Sequence, residues 1–316
     1  MKVTVIGGGA WGSTLAELVK ENNHDVTQWY RRSSLSLKDA LTDSELWVCA
    51  VSMKGVREVV EEIQRLNLPQ SSSSLSIVSA TKGLEASVHS SLEHLPKRPS
   101  EIWQEAFPIA AITVLSGPNL SKEIQHRQPA ATVVASHNDE AAQQIQALFN
   151  SQRFRVYTNA DPTGVELAGA LKNVIAIATG ACDGLALGTN AQSALITRGL
   201  AEMIRIAGYW GAKADTLYGL AGMGDLMATC SSPLSRNYQV GYRLAQGETI
   251  DQVLATLEGT AEGINTCMVL IQLATHAAID LPITQQVSRL LQGQVTPVDA
   301  LNILMSRVSK PEERRI

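Results

Sequence analysis

Lys172 and Asn173 sit inside VELAGALKNVIAIATG, the stretch from Val165 to Gly180, which is otherwise built almost wholly of apolar and small residues. An ammonium group left unpaired in apolar surroundings is costly, and its pKa falls in response. At helical spacing the residues one turn away are Ala168 and Ala176, so no carboxylate at i±4 pairs with Lys172, and Glu166 points to a different side. Lys172 therefore reaches water along its own stem, meets a partner from elsewhere in the chain, or lines a site. On this helix alone all three readings stay open.

Two later segments carry groups that could meet it. Leu220-Ala221-Gly222-Met223-Gly224-Asp225-Leu226 reads as a glycine-flanked turn presenting one carboxylate. Shortly after comes Ser231-Ser232-Pro233-Leu234-Ser235-Arg236-Asn237, followed by the helical pattern YQVGYRLAQG. Ser235 suits an N-cap, which places Arg236 and Asn237 in the first helical turn. A helix start with an arginine, an amide and free N–H groups is a ready anion site, though in form it is equally a capped helix with a surface arginine. Asp225 likewise serves equally well as a plain turn cap. Beside a nucleotide-binding fold, the lysine, the carboxylate and the arginine-bearing helix start suit a phosphorylated carbonyl compound.

The evidence for such a fold lies at the amino terminus. Gly7-Gly8-Gly9-Ala10-Trp11-Gly12 is a GxGxxG, entered from the strand pattern VTVI and left through the helical pattern STLAELVKEN. Glycines at Gly7, Gly9 and Gly12 let the backbone turn sharply and approach a pyrophosphate, whose charge then sits on the free N–H groups of the helix start. A second strand, DVTQW, follows at the distance a βαβ unit requires, and it ends in Tyr30-Arg31-Arg32 with no carboxylate. A carboxylate there would bind the ribose 2′-hydroxyl of NAD, whereas an arginine accommodates the 2′-phosphate of NADP. The segment favours NADPH, with NADH as an accepted alternative; two solvated loop arginines are the plainer reading.

The elements that must hold these groups fall into two halves. Before about residue 160, the β-branched runs VTVI, DVTQW, LWVCAVS, SLSIVSA, AITVLS, ATVVAS and RFRVYT alternate with amphipathic stretches such as GVREVVEEIQRL and DEAAQQIQALFN. That alternation predicts a parallel sheet with crossover helices. Afterwards long helical patterns take over, among them QSALITRGLAEMIRIAGYWG and EGINTCMVLIQLATHA. The fold class expected is α/β: an N-terminal Rossmann-type doubly wound sheet over residues 1–160, then an all-α domain over 161–316. The break is placed at Asn159-Ala160-Asp161-Pro162, because proline opens a helix more easily than it continues one. Ser71 to Ser74 reads as a short loop, and residues 87–105 as a polar connection without periodicity.

Composition narrows the partners. With 316 residues, 45% apolar, 18% charged and a formal net charge of −4, the chain is an ordinary globular protein with no general affinity for nucleic acid or anionic membranes. Cys49, Cys182, Cys230 and Cys267 form no CxxC pair, and the six histidines form no HExxH, so neither a disulfide framework nor a metal site is expected. The start MKVTVIGGGAWG does not read as a signal peptide, and Lys172, Asn173 and Asp183 interrupt the apolar stretch around Ala168–Leu187, against a stable membrane span. A cytoplasmic location follows as the expectation.

Taken in order, GGGAWGSTLA, SATKGLE, LSGPNLSKE, GVELAGALKNVIAIATG, GMGDLMATCSSPLSRN and EGINT resemble the motif set of bacterial-type NAD(P)-dependent glycerol-3-phosphate dehydrogenases, over residues 1 to about 290. The resemblance implies reduction of dihydroxyacetone phosphate to sn-glycerol 3-phosphate, the backbone precursor of glycerophospholipids, by a homodimer in which the all-α half, 161–316, is the substrate and dimerisation domain. By the same resemblance Lys172 is the proton-transferring residue, Lys82 a catalytic lysine near nicotinamide and substrate, and Asp225 a substrate contact that orients Lys172 and holds its charge in check. Gly117, Ser235, Arg236 and Asn237 complete the substrate contacts. Gly7, Gly9, Ala10, Trp11, Gly12, Arg31, Arg32, Lys82, Ser121, Arg236 and Glu262 fall at cofactor positions. Two rivals stand beside this reading. One is another two-domain dehydrogenase of the hydroxyacid or ketopantoate type, which would bind a carboxylate. The other is a non-catalytic NADPH-binding regulator. The loop SSLSLKDALTDSELWV after Arg32 is shorter than is usual in the family, and it lies near the adenosine end.

Overall fold

The computed structural model describes residues 1–66, 75–85, 95–309 and 311–312. The serine run Ser71–Ser74 and residues 87–94 of the polar connection lie outside the described residues. The first half runs β1 (Lys2–Ile6), α1 (Ala10–Glu21), β2 (Asp25–Trp29), α2 (Leu37–Leu41), β3 (Leu46–Cys49), α3 (Met53–Arg65), β4 (Ser76–Ser79), α4 (Pro99–Ala106), β5 (Ala111–Ser116), α5 (Ser121–Gln125), β6 (Ala130–Ala135), α6 (Asp139–Phe149) and β7 (Phe154–Asn159). Each of the seven β-branched runs supplies a strand, and all join one sheet in the order β2-β1-β3-β4-β5-β6-β7. Every residue of β3 and β4 is buried, as strands covered on both faces by helices must be.

The sheet departs from the expected all-parallel form at one place. β5 and β6 pair antiparallel, with Val114 opposite Ala135 and Ser116 opposite Val133. The chain folds straight back after β5 with only the five-residue α5 on the way, so no full crossover helix carries it to the opposite end of the sheet. A second difference is α4, inside the stretch read as an aperiodic connection. Its marks are legible in retrospect: Pro99 takes the first helical position, and Glu101 reaches back to the backbone N–H of Arg98 at 2.8 Å.

Strand order reverses at β1, with β2 on one flank and β3 on the other, and the loops leaving β1 and β3 part to open a crevice at their carboxyl ends. The glycine loop occupies that crevice. A Cβ on Gly7, whose φ is +138°, would lie 2.5 Å from the Ala50 carbonyl, and one on Gly12 would lie 2.3 Å from the Gly7 carbonyl. Gly7 thus allows the turn beside β3, and Gly12 lets α1 sit against the loop it starts from.

The second half is helical: α7 (Pro162–Gly184), α8 (Gly188–Tyr209), α9 (Ala214–Tyr218), a π-helical turn (Leu220–Gly224), α10 (Asp225–Cys230), α11 (Arg236–Ala245), α12 (Ile250–Thr256), α13 (Glu262–His276), α14 (Pro282–Leu291) and α15 (Pro297–Met305). Helix α7 is the axis. Pro162 opens it, and Asp161 caps it by accepting from Gly164 N–H at 2.8 Å while also accepting from Lys213 N–H and Thr216 Oγ1 at the start of α9. At 23 residues α7 is long and apolar enough to cross a membrane, but 94% of its apolar window is buried inside the protein. That is the pattern of a helix surrounded on all sides by its own fold.

Helices α7 and α11 cross with their backbones in contact. A Cβ on Gly180 would fall 2.0 Å from the Tyr238 carbonyl, and one on Gly241 would fall 1.8 Å from the Ile177 carbonyl. The segment expected as a simple turn before Asp225 is instead π-helical, with Gly224 N–H bonded to the Gly219 carbonyl at 3.2 Å. The wider turn feeds directly into α10 and makes Asp225 its first residue. All four cysteines are buried thiols, and burial pushes Cys49 up to about 11 and Cys230 up to about 12. They are packing groups with no thiolate character near neutral pH.

Candidate active site

The Lys172 ammonium meets a partner from elsewhere in the chain. It donates to Asp225 Oδ1 and to Thr229 Oγ1, both on α10. The other carboxylate oxygen, Asp225 Oδ2, accepts from Lys82 Nζ at 2.6 Å, and Lys82 donates as well to the Gly117 carbonyl at 3.0 Å. One buried carboxylate thus stands between two ammonium groups, with side chains 7% (Lys172), 19% (Lys82) and 2% (Asp225) exposed. Burial, reinforced by the nearby Lys82 charge and opposed by Asp225, lowers the pKa of Lys172 from 10.5 to about 8. The cluster carries two positive charges against one negative, so it favours an anionic oxygen arriving beside it.

Lys82 and Lys172 line a cleft of about 1010 Å³ that runs from the glycine loop to the start of α11. At the α11 end Ser235 is the N-cap, its Oγ accepting from Tyr238 N–H at 3.3 Å, and Arg236 and Asn237 take the first turn. Asn237 Oδ1 accepts from Gly263 N–H at 2.9 Å, which orients the amide so that its NH₂ remains as a donor. Arg236 lies against the turn at Gly259, whose φ is +85° and whose missing Cβ would sit 2.6 Å from Arg236 Nη1. This pole offers a guanidinium, an amide NH₂ and helix-start N–H groups to a dianion.

At the other end Gly7, Gly9, Ala10, Trp11 and Arg31 line the cleft. A Cβ on Gly9 would meet nothing within 4 Å, so the loop presents bare backbone there, as a pyrophosphate cradle requires. Trp11 is fixed by its indole N–H, which donates to the Ala80 carbonyl at 3.2 Å. Arg31 stands on the wall in an ion pair with Glu58 of α3, whereas Arg32 is exposed and is not part of the wall. Ser121 and Glu262 also line the cleft. Glu262 Oε1 accepts from Met53 N–H at 3.2 Å and so joins the start of α13 to the start of α3; burial raises its pKa, against the pull of that N–H and of Arg236.

Most residues singled out in the sequence therefore converge. Gly12 lies beneath the loop instead of in the wall, Gly117 enters through its carbonyl, and Asp225 stands behind the two lysines. Thr229 was not anticipated, although it follows Asp225 by one helical turn and so shares its face. Asn173 and Asn119 also line the cleft. One cleft thus brings together a bare glycine loop, a cationic helix start and a buried lysine, and among the described residues no group of three or more His, Cys, Asp or Glu side chains gathers.

Fold and site together define a two-domain, nicotinamide-dependent dehydrogenase. More narrowly, the chain belongs to the NAD-dependent glycerol-3-phosphate dehydrogenase family: its N-terminal model matches residues 2–38 and 32–142, and its C-terminal model matches 161–302. The chain is 58% identical to a glycerol-3-phosphate dehydrogenase [NAD(P)+] of Trichormus variabilis, over 98% of each chain. Among solved structures, glycerol-3-phosphate dehydrogenase of Coxiella burnetii superimposes with a TM-score of 0.88 at 32% identity, over 97% of this chain and 99% of that one. The 2-dehydropantoate 2-reductase of Geobacter metallireducens shares the fold at a TM-score of 0.53 and 13% identity, over 93% and 100%.

Proposed function

We propose that this enzyme reduces dihydroxyacetone phosphate to sn-glycerol 3-phosphate with NADPH in preference to NADH, and that residues 1–160 bind the cofactor while 161–316 supply the substrate pole. The observation that carries the reading is the Lys172–Asp225–Lys82 cluster, whose two lysines line a cleft that also holds the cationic α11 start and the bare glycine loop. When bound, the nicotinamide supplies the hydride. Arg236, Asn237 and the α11 start hold the phosphate, which a carboxylate substrate would not fill as well. Lys172 gives a proton to the alkoxide forming at C2 and takes it back in the reverse direction. Lys82 places positive charge where the oxyanion develops, and Asp225 keeps both ammonium groups in place. Arg31 supports the preference for a 2′-phosphate, and Ser121 and Glu262, which line the same cleft, would help to hold the cofactor.

The product would feed glycerophospholipid synthesis. A homodimer is supported by the exposed apolar face at the end of the helical half, where Met305 and Val308 are 78% and 91% exposed. Four buried thiols support a reducing, cytoplasmic setting. The test is loss of NADPH absorbance on adding dihydroxyacetone phosphate, with 2-ketoacids as controls. Turnover of the phosphate compound alone is expected; no oxidation with it would overturn the reading.

A further inference from the structure

Glu166 is a carboxylate that the reaction does not use, yet it is 2% exposed, accepts three hydrogen bonds and faces a guanidinium. It lies on α7 six residues before Lys172, about 9 Å along the axis and turned to another side. Its Oε1 accepts from Ser79 Oγ at 3.0 Å and from Ser100 N–H at 2.9 Å. Its Oε2 accepts from Ser100 Oγ and faces Arg98 Nη1 at 3.5 Å. Ser79 closes β4, three residues before Lys82, while Arg98 and Ser100 begin α4.

Between Glu166 and Lys172, α7 carries Gly169, and a Cβ there would lie 2.5 Å from Ser116 Oγ and 3.4 Å from Lys82 Cγ. The helix is therefore laid directly on the stem of Lys82. It is tied to that strand and loop at two points: Glu166 to Ser79, and Lys172 through Asp225 to Lys82. A buried carboxylate is a costly way to fill space, and an apolar side chain would bury as well. What a carboxylate with converging donors adds is direction: the α4 donors fix the carboxylate's orientation, and α7 cannot slide or rotate on β4 without breaking its bond to Ser79.

We infer that Glu166, through Ser79, is a positioning residue that sets the register of α7 on β4 and with it the placement of Lys172 relative to Lys82 and Asp225. The inference rests on the proposed function. A reaction that depends on placing a proton donor within a hydrogen-bond length is sensitive to shifts of this kind, since about 1 Å of misplacement can cost on the order of a hundred-fold.

The experiment compares Glu166→Gln, Ser79→Ala, Ser79→Thr and Ser100→Ala with the wild type. Wild-type turnover of dihydroxyacetone phosphate is measured first, so its failure strikes the functional reading and leaves the variants aside. Ser79→Ala touches only the β4 side of the tie and Ser100→Ala only the α4 side. Glu166→Gln and Ser79→Ala should lower kcat about ten-fold or more, with the KM for NADPH kept and the alkaline limb of the kcat profile moved to lower pH. The limb moves because a buried Lys172 drawn away from Asp225 holds its proton less firmly. Ser79→Thr should restore kcat, and Ser100→Ala should lower the thermal midpoint while keeping kcat. If Glu166→Gln does not fold, the two Ser79 variants decide alone. Retention of kcat within about two-fold in Ser79→Ala, or a loss with an unmoved pH limb, would overturn the inference.

Discussion

Lys172 and Asp225, 53 residues apart in the chain, meet as a buried ion pair in which the lysine is still held well below its ordinary pKa. Burial outweighs the attraction of the carboxylate, and the nearby Lys82 charge helps it. With the Lys172 pKa at about 8, the protonated form needed for reduction is lost as pH rises past that value. Turnover of dihydroxyacetone phosphate should therefore fall on the alkaline side of about 8, and oxidation of glycerol 3-phosphate should rise over the same range. Stability carries the same signature. Between about 8 and 10.5 the unfolded chain holds a proton on Lys172 that the folded one has released, so this group makes the protein more stable as pH rises. Urea midpoints of wild type and Lys172→Met at pH 8 and 10 measure it, and the wild type should gain on the variant at the higher pH.

Asp225→Asn would leave Lys172 and Lys82 facing each other without the anion that separates them. The Lys172 pKa should drop further, since the group opposing its burial is gone and the like charge remains. In the reduction direction kcat should fall by about 10²- to 10³-fold at neutral pH, with the alkaline limb moved downward. NADPH binding, followed by quenching of protein fluorescence, should change little, because Asp225 lies behind the lysines and outside the cleft wall. A kcat near wild type would remove Asp225 from the mechanism.

The parts of the fold legible in the sequence are those that local chemistry dictates. The glycine loop, Pro162 at a helix start and Ser235 as an N-cap each satisfy a local backbone requirement, and each lies where its residues say. The partner of Lys172 was not legible from its own helix, because Asp225 reaches it through tertiary packing of α10 on α7. The antiparallel β6 was hidden for a related reason: strand direction depends on the path of the connection, while the residues of AATVVA suit either direction. Glu166 points away from Lys172, as its spacing says; Ser79 lies on a strand that was legible, whereas Arg98 and Ser100 belong to a connection whose helix has no clear period.

Of the two arginines that follow β2, only Arg31 stands on the cleft wall. Its guanidinium is shared with Glu58, so a 2′-phosphate must compete with that carboxylate. Arg31→Ala should raise the KM for NADPH about ten-fold or more while changing that for NADH little, as expected for loss of a charge-assisted contact of about 1.5–3 kcal/mol. Arg32→Ala should change the ratio less. Glu58→Gln should favour NADPH, by freeing Arg31. Side-by-side titration of both cofactors reads all three, and equal effects of the two arginine variants would show that the exposed residue also reaches the phosphate.

The phosphate pole can be disturbed without deleting any of its charges. Gly259 has φ +85° and leaves Arg236 Nη1 the space a Cβ would take at 2.6 Å. Gly259→Ala places a β-carbon there in a backbone conformation that costs an L-residue roughly 1–2 kcal/mol, and it pushes the guanidinium aside. The thermal midpoint should fall by a few degrees. The KM for dihydroxyacetone phosphate should rise about ten-fold, and kcat at saturation should fall less, because phosphate binding is shared by ground and transition states. Arg236→Lys should raise the same KM by a comparable factor without the loss of stability, since an ammonium keeps the charge but loses the forked donors. If Gly259→Ala lowers the midpoint and leaves the KM unchanged, Arg236 is not held in its binding position by this turn.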